Sequence, residues 1–295
     1  SSGSGNKPEQ NTGGSTTTIE TKPDGTVTKI EIKKDGTVIE TSQTPTGTEG
    51  TVITDSKGNV TEIIVKVSDQ DAKKVTESKD PIKLPIEVPV ESTLEQAPEI
   101  KLNVPKEGAY VEIPVTDMSY GTVVVLIHPN GATELFKKAP FTQKGIALSL
   151  QENTTIKLVD NKKAFYDVSP SDWYKDAVEF VSAREIMNGV EEGRFNPQQT
   201  LSRSMFAMML HNLENNPKPN QNSQFRDVQR GSWYVDAINW AAEKGILVGY
   251  TDGRVGLNER ITREQFVVML YRYAGSPEVY QTPDNFQDNS NVSTF

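Results

Sequence analysis

Two arginines stand where a helix would not choose them. Arg203 follows Ser202, and Arg263 follows Thr262 at an offset of 60 residues. Ser and Thr are preferred helix N-caps, so each arginine falls in a first helical turn. A cation there opposes the helix dipole. A local cost taken twice suggests a use. A carboxylate or phosphate could meet the guanidinium fork together with the free backbone N–H groups of that turn. The competing role is an ion pair with Asp167, Asp227 or another repeat's acid, holding neighbouring units together.

The other candidates keep the same offset. Phe165-Tyr166-Asp167-Val168, Trp173-Tyr174 and Asp176-Ala177-Val178 return as Phe225-Arg226-Asp227-Val228, Trp233-Tyr234 and Asp236-Ala237-Ile238. Arg194/Arg254, Met209/Met269 and Leu210/Leu270 follow suit. A spacing held across loops means one supersecondary unit written twice, with neighbours that share a core. Trp173 and Trp233 either stack on sugar rings or begin apolar helix faces and pack. Asp167 and Asp227 suit turns closed through backbone N–H groups. Tyr250, on a Gly-rich loop with Gly253, is a candidate for ligand contact. Arg194 and Arg254, at matched loop sites, suit either a ligand or surface carboxylates.

Helices must position these groups. Trp173, Ala177, Phe180 and Val181, and again Trp233, Ala237, Trp240 and Ala241, recur at helical spacing. Ser171 or Asp172, and Ser232, are the expected caps of these first helices. After each loop a second helix follows, capped by Ser202 or Thr262; Thr262 and Gln265 have the capping-box spacing. Its buried stripe is Phe206, Met209, Leu210 and Leu213, or Phe266, Met269, Leu270 and Tyr273. Pro217 and Pro219 close the first unit, and Gly275 and Pro277 the second. Phe286-Gln287-Asp288 begins a third unit, too short to hold its helices.

The preceding part is β-rich. Residues 1–16 read as a disordered leader. Residues 17–67 read as a β-hairpin stalk with one greasy face and turns at Asp24-Gly25, Asp35-Gly36 and Lys57-Gly58-Asn59. A charged linker spans 68–81. Strands are predicted at 82–88, 100–104, 110–115, 122–127, 133–135, 146–150 and 155–159, with Asn130-Gly131 as a hairpin turn, making 82–160 a small sandwich. The fold class is thus multidomain: hairpin meander, small all-β sandwich, then an all-α domain of helix-loop-helix units. Those units span 161–219, 220–278 and a truncated 279–295, as an incomplete pseudo-threefold bundle.

The repeated residues resemble the S-layer homology family. The motifs that carry the resemblance are Phe-x-Asp-Val, Trp-Tyr-x-Asp-Ala, Gly249-Tyr250-x-Asp252-Gly253 and Ile261-Thr262-Arg263-Glu264. It covers roughly the last 130 residues. The resemblance implies a three-lobed helical domain that holds exported proteins on a bacterial envelope by binding secondary cell-wall polysaccharide, often pyruvylated, in grooves between lobes. It implies that the arginine of the Thr-Arg-x-Glu motif meets the acidic glycan. Arg263 sits on the consensus Ile-Thr-Arg-Glu, whereas Arg203 sits in Leu201-Ser202-Arg203-Ser204, with Met205 next and no Glu. Asp167 and Asp227 open the repeats, and the loop of Tyr250 and Gly253 borders a groove. The expected location is extracellular, at the cell wall or surface layer.

Composition narrows the remaining classes. The chain has no Cys and only two His, His128 and His211. No thiolate site, Walker loop, nucleophile elbow or dinucleotide fingerprint occurs. The spacing around Asp284 and Asp288 does not fit a calcium loop. No enzyme activity, metal or cofactor is expected. A net charge of -9 without a basic block argues against nucleic acid. No apolar run reaches the ~18 residues of a membrane span. The start at Ser1-Ser2-Gly3-Ser4-Gly5 shows no signal peptide and reads as a scar or a cut inside a longer exported protein, whose upstream domains become partners. Two functions remain: a glycan-binding wall anchor, and a structural module that self-associates or builds a scaffold.

Overall fold

The computed structural model describes residues 15–78 and 80–278. The start of a third unit lies outside the described residues, as does most of the expected leader. The chain divides into two compact units. One is the chain up to Ala164 together with Trp173–Arg184; the other is Phe165–Asp172 with the chain from Glu185 onward.

The first unit opens with β1 (Thr16–Thr21), β2 (Val27–Ile32), β3 (Val38–Gln43), β4 (Glu49–Thr54) and β5 (Val60–Lys66), an antiparallel meander. Its turns carry Gly25, Gly36, Gly47 and Gly58, each with φ between 84° and 92°. A side chain at that φ costs roughly 1–2 kcal/mol, which glycine avoids. The meander buries apolar residues only at its end, where Ile63 and Val65 of β5 enter the core; its start differs from the expected greasy face. Val27 and Ile32 are exposed, while Thr28 and Ser42 are buried and share a hydroxyl hydrogen bond of 2.8 Å.

Residues 68–81, expected as a linker, hold helix α1 (Asp69–Ser78). Ser68 Oγ caps it by accepting from the Asp71 N–H, and Asp69 and Asp71 lie in its first turn. The Asp71 carboxylate in turn accepts from the Thr46 and Thr48 hydroxyls at 2.7 and 2.6 Å, fixing the helix to a hairpin turn.

The strands that follow are β6 (Ile82–Lys83), β7 (Glu99–Asn103), β8 (Ala109–Pro114), β9 (Thr122–Ile127), β10 (Thr133–Phe136), β11 (Gly145–Leu150) and β12 (Thr154–Asp160). These fall within a residue or two of the predicted strands, except at 82–88. There Pro85 and Pro89 lack donors, and only β6 and a single Val88–Val115 bridge form. β5 pairs in parallel with β7, so the meander is no separate stalk. It runs into one nine-stranded sheet, β1-β2-β3-β4-β5-β7-β12-β9-β10, facing a three-stranded sheet, β11-β8-β6. A parallel pair needs a crossover, and the segment with α1 lies on it. Ile63, Val65, Ile100, Leu102, Val111, Ile113, Ile146, Leu148, Ile156 and Leu158 fill the core. Each such burial stabilises by about 1.5–3 kcal/mol.

Helix α2 (Lys175–Ala183) belongs to this unit. Arg184, 1% exposed, ends it by donating to Thr122 O at 2.9 Å, Tyr120 O at 3.2 Å and Phe180 O at 3.3 Å. Its guanidinium lies 3.7 Å from the Phe180 ring centroid. Burial pushes its pKa down to about 10. Buried Glu179 accepts from the Gly121 N–H and pairs with Lys175. The first repeat, expected over 161–219, is therefore divided between the two units.

The second unit contains α3 (Arg203–Leu213), α4 (Val235–Glu243) and α5 (Arg263–Tyr273). Phe206, Ala207 and Leu210 of α3 pack with Ile238, Trp240 and Ala241 of α4 and with Val255 and Leu257. The second helix of one repeat thus builds the core of the next. Ser202 accepts from the Met205 N–H, and Thr262 forms the capping box with Gln265, as expected. The first helices differ from expectation. They begin after Tyr174 and Tyr234, with no side-chain cap, so Ser171, Asp172 and Ser232 are not their N-caps. Trp173 and Trp233 consequently precede the helices and lie off their buried faces.

Candidate functional site

Asp227 organises the loop between α4 and α5. Its carboxylate accepts from the N–H groups of Val255 and Gly256 at 2.8 Å and of Leu257 at 3.3 Å. Asp167 does the same for Phe195 at 2.9 Å and Asn196 at 2.7 Å. Burial works to raise both carboxyls, but the backbone donors outweigh it and hold them below the usual carboxylate range. Both aspartates therefore close turns. Within the loop the Tyr250 N–H donates to Arg254 O and the Gly253 N–H to Tyr250 O, with Gly253 at φ 83°. A Cβ on Gly249 would lie 2.4 Å from the Phe225 ring.

Arg203 is turned into this loop. It is 6% exposed. Its Nε donates to Val255 O at 2.9 Å and its terminal nitrogen to Val248 O at 2.7 Å. The guanidinium also faces the Tyr250 ring at 5.0 Å. Among the described residues Arg203 makes no ion pair, the alternative role considered for it; backbone carbonyls take that place. The neighbouring backbone joins in: the Arg203 N–H donates to Glu259 O, and the Ser204 hydroxyl donates to Leu257 O at 2.7 Å. A cation at this helix start is thus used to bind the next repeat.

Arg263, its counterpart, is exposed and has no side-chain partner among the described residues. Gln265, two residues on, reaches the Tyr250 hydroxyl at 3.5 Å. This second contact of Gln265 is missed by sequence reasoning, which sees only its capping role. The structure brings Arg203, Tyr250, Gly253 and Gln265 together around one loop. Arg254 leaves the same loop into solvent, paired with Asp252 and Glu259. Arg194 pairs with Glu191 and lies 4.0 Å from Asp167.

Trp173 and Trp233 are not core residues. Trp173 is 92% exposed and Trp233 69% exposed. Each meets the following tyrosine edge to face at 5.4 Å, Tyr174 or Tyr234. The packing role expected from helical spacing is overturned, because the spacing continues past the true helix start. Trp173 belongs to the first unit, whereas Asp167 and Arg194 belong to the second.

Among the described residues, no group of three or more His, Asp or Glu is placed to hold a metal, and no helix is long and apolar enough to cross a membrane. The S-layer homology domain family matches residues 164–206 and 224–267. These are S-layer homology repeats. Similar stretches occur in an exoglucanase, XynX, of Acetivibrio thermocellus, 31% identical over 136 residues, covering 44% of this chain and 12% of that protein. A surface-layer 125 kDa protein of Lysinibacillus sphaericus is 33% identical over 101 residues, 34% of this chain and 8% of its own. A cellulosome-anchoring protein of Acetivibrio thermocellus is 29% identical over 92 residues, 30% and 21%. The chain thus spans only a small part of these curated relatives. S-layer homology repeats place the chain outside the cell, at the bacterial wall or surface layer, with a general role in anchoring there.

Proposed function

We propose that the S-layer homology region is a non-catalytic anchor that binds acidic, often pyruvylated, secondary cell-wall polysaccharide and tethers a larger exported protein to the surface. Arg263 carries this reading: an exposed cation without a side-chain partner among the described residues, in the first turn of a capped helix. That combination suits a carboxylate on a sugar. Tyr250, half-buried on the adjoining loop, and the exposed Trp233 add aromatic faces for sugar rings. The relatives add support. Proteins named for different roles share this stretch, which fits a common attachment function better than a shared reaction.

The test is binding to purified wall polysaccharide with and without its pyruvyl groups. Arg263→Ala is expected to weaken binding about tenfold, as is removal of pyruvate. Unchanged binding by the variant removes Arg263 from the site. No binding to either polysaccharide by the native chain removes the glycan reading. A scaffold role without glycan then remains.

A further inference from the structure

The β-rich first unit holds a cavity of about 700 Å³ that the anchoring role does not use. That volume is within the range of ligand pockets. One wall is a face of the hairpins β2–β4, with Thr26, Glu40, Ser42 and Gly50; the other is residues 83–87. Gly50 brings the walls together. A Cβ there would lie 2.3 Å from Ile86 Cγ2, so only bare backbone lets the two meet.

The second wall is the edge of the three-stranded sheet, where β6 ends. The Leu84 and Val88 N–H groups donate to Glu112 O and Pro114 O of β8. Four residues on from Leu84 thus match two residues on from Glu112, and residues 85–87 leave the ladder as a bulge. The N–H groups of Ile86 and Glu87, and the carbonyls of Pro85, Ile86 and Glu87, have no hydrogen bond among the described residues. Ile86 is nonetheless only 8% exposed. Buried backbone groups are almost always paired, so this edge lacks a partner. Glu40, across the cavity, is half-buried and forms no ion pair among the described residues. The cations on the lining, Lys22, Lys83 and Lys144, are exposed and do not reach it.

We propose that this cavity binds an extended peptide carrying a lysine or arginine side chain. The peptide backbone pairs with residues 85–87 and adds a strand to the sheet edge. Its cationic side chain crosses the cavity to the Glu40 carboxylate, in a charge-assisted hydrogen bond. Residues 83–87 span about 17 Å at roughly 3.3 Å per residue, so the ligand is about five residues long. The chemistry favours a peptide over a sugar. The unpaired groups are main-chain donors and acceptors, and no aromatic ring lines the cavity to stack on a sugar.

Fluorescence anisotropy of the full chain tests this, with labelled pentapeptide libraries fixed at the central residue as lysine, glutamine or glutamate. The lysine library is expected to bind about tenfold more tightly than the other two. Glu40→Gln should remove that preference and keep the native thermal midpoint, since Glu40 has no partner to lose. N-methylation of alternate peptide N–H groups should weaken binding about tenfold, which a purely ionic contact would not show. No binding by any of the three libraries overturns the proposal. So does a lysine preference that survives Glu40→Gln, or binding indifferent to N-methylation.

Discussion

Arg203 and Arg263 occupy equivalent positions and face opposite environments. Removing the Arg203 side chain takes its donors from Val248 O and from Val255 O, of which Val255 is buried. Arg203→Ala is expected to cost about 2–3 kcal/mol of stability in urea unfolding. Arg263→Ala should cost less than about 0.5 kcal/mol, as an exposed substitution does. Asp227 adds a pH dependence with a definite sign. Its folded carboxyl is held below the ordinary value, because the backbone N–H groups of Val255, Gly256 and Leu257 outweigh burial. The stability it contributes is present above the ordinary Asp range near ~3.9 and is lost as pH falls through the folded value. Asp227→Asn should lower stability by about 2 kcal/mol at neutral pH. It should also flatten the acid limb of a stability–pH curve; an unchanged limb would show that another carboxylate sets it.

Helices α3 and α5 separate what a motif encodes from what packing adds. Both have a first-turn arginine and a hydroxyl cap. Buried positions in α3 include Phe206, Ala207, Leu210 and His211, but Met269 is the one residue classed as buried in α5. Local stability follows buried apolar contact. Hydrogen exchange should therefore protect the α3 amides far more strongly than those of α5 in the monomer. Thr262→Ala, which removes the cap, should cost about 1 kcal/mol and speed exchange mainly within α5. The helix ends share a further device. His211 Nε2–H donates to Pro217 O, and the Tyr271 hydroxyl donates to Pro277 O, both at 2.9 Å. Two different side chains satisfy the same carbonyl position, so the closing turn survives a change in chemistry.

At the scale of the molecule, the repeats are not interchangeable. In the first, α2 is held against the β-unit through Arg184 and Glu179. In the second, Asn239 stands at the Glu179 position and bonds to Ser223 instead. A fragment beginning at Asn161 is expected to keep a protected α4 and lose protection in α2, read by hydrogen exchange. Equal protection in both would show that α2 needs no sheet.

The sequence by itself determined the repeat, its offset, the caps at Ser202 and Thr262, the turn-closing aspartates and nearly every strand. Each of these rests on local chemistry: a hydroxyl beside free N–H groups, a glycine where φ is positive, a two- or three-residue apolar period. Helix α1 was locally encoded too, by Ser68 and two first-turn aspartates, but its charged composition reads as linker. Tertiary structure alone decided that β5 would pair with β7, that α2 would leave its repeat for the sheet, and that Trp173 and Trp233 would face solvent. It alone decided that one arginine would be sealed by backbone carbonyls while its twin stayed open. Such outcomes depend on which surfaces meet across long separations in the chain, and no local pattern records that.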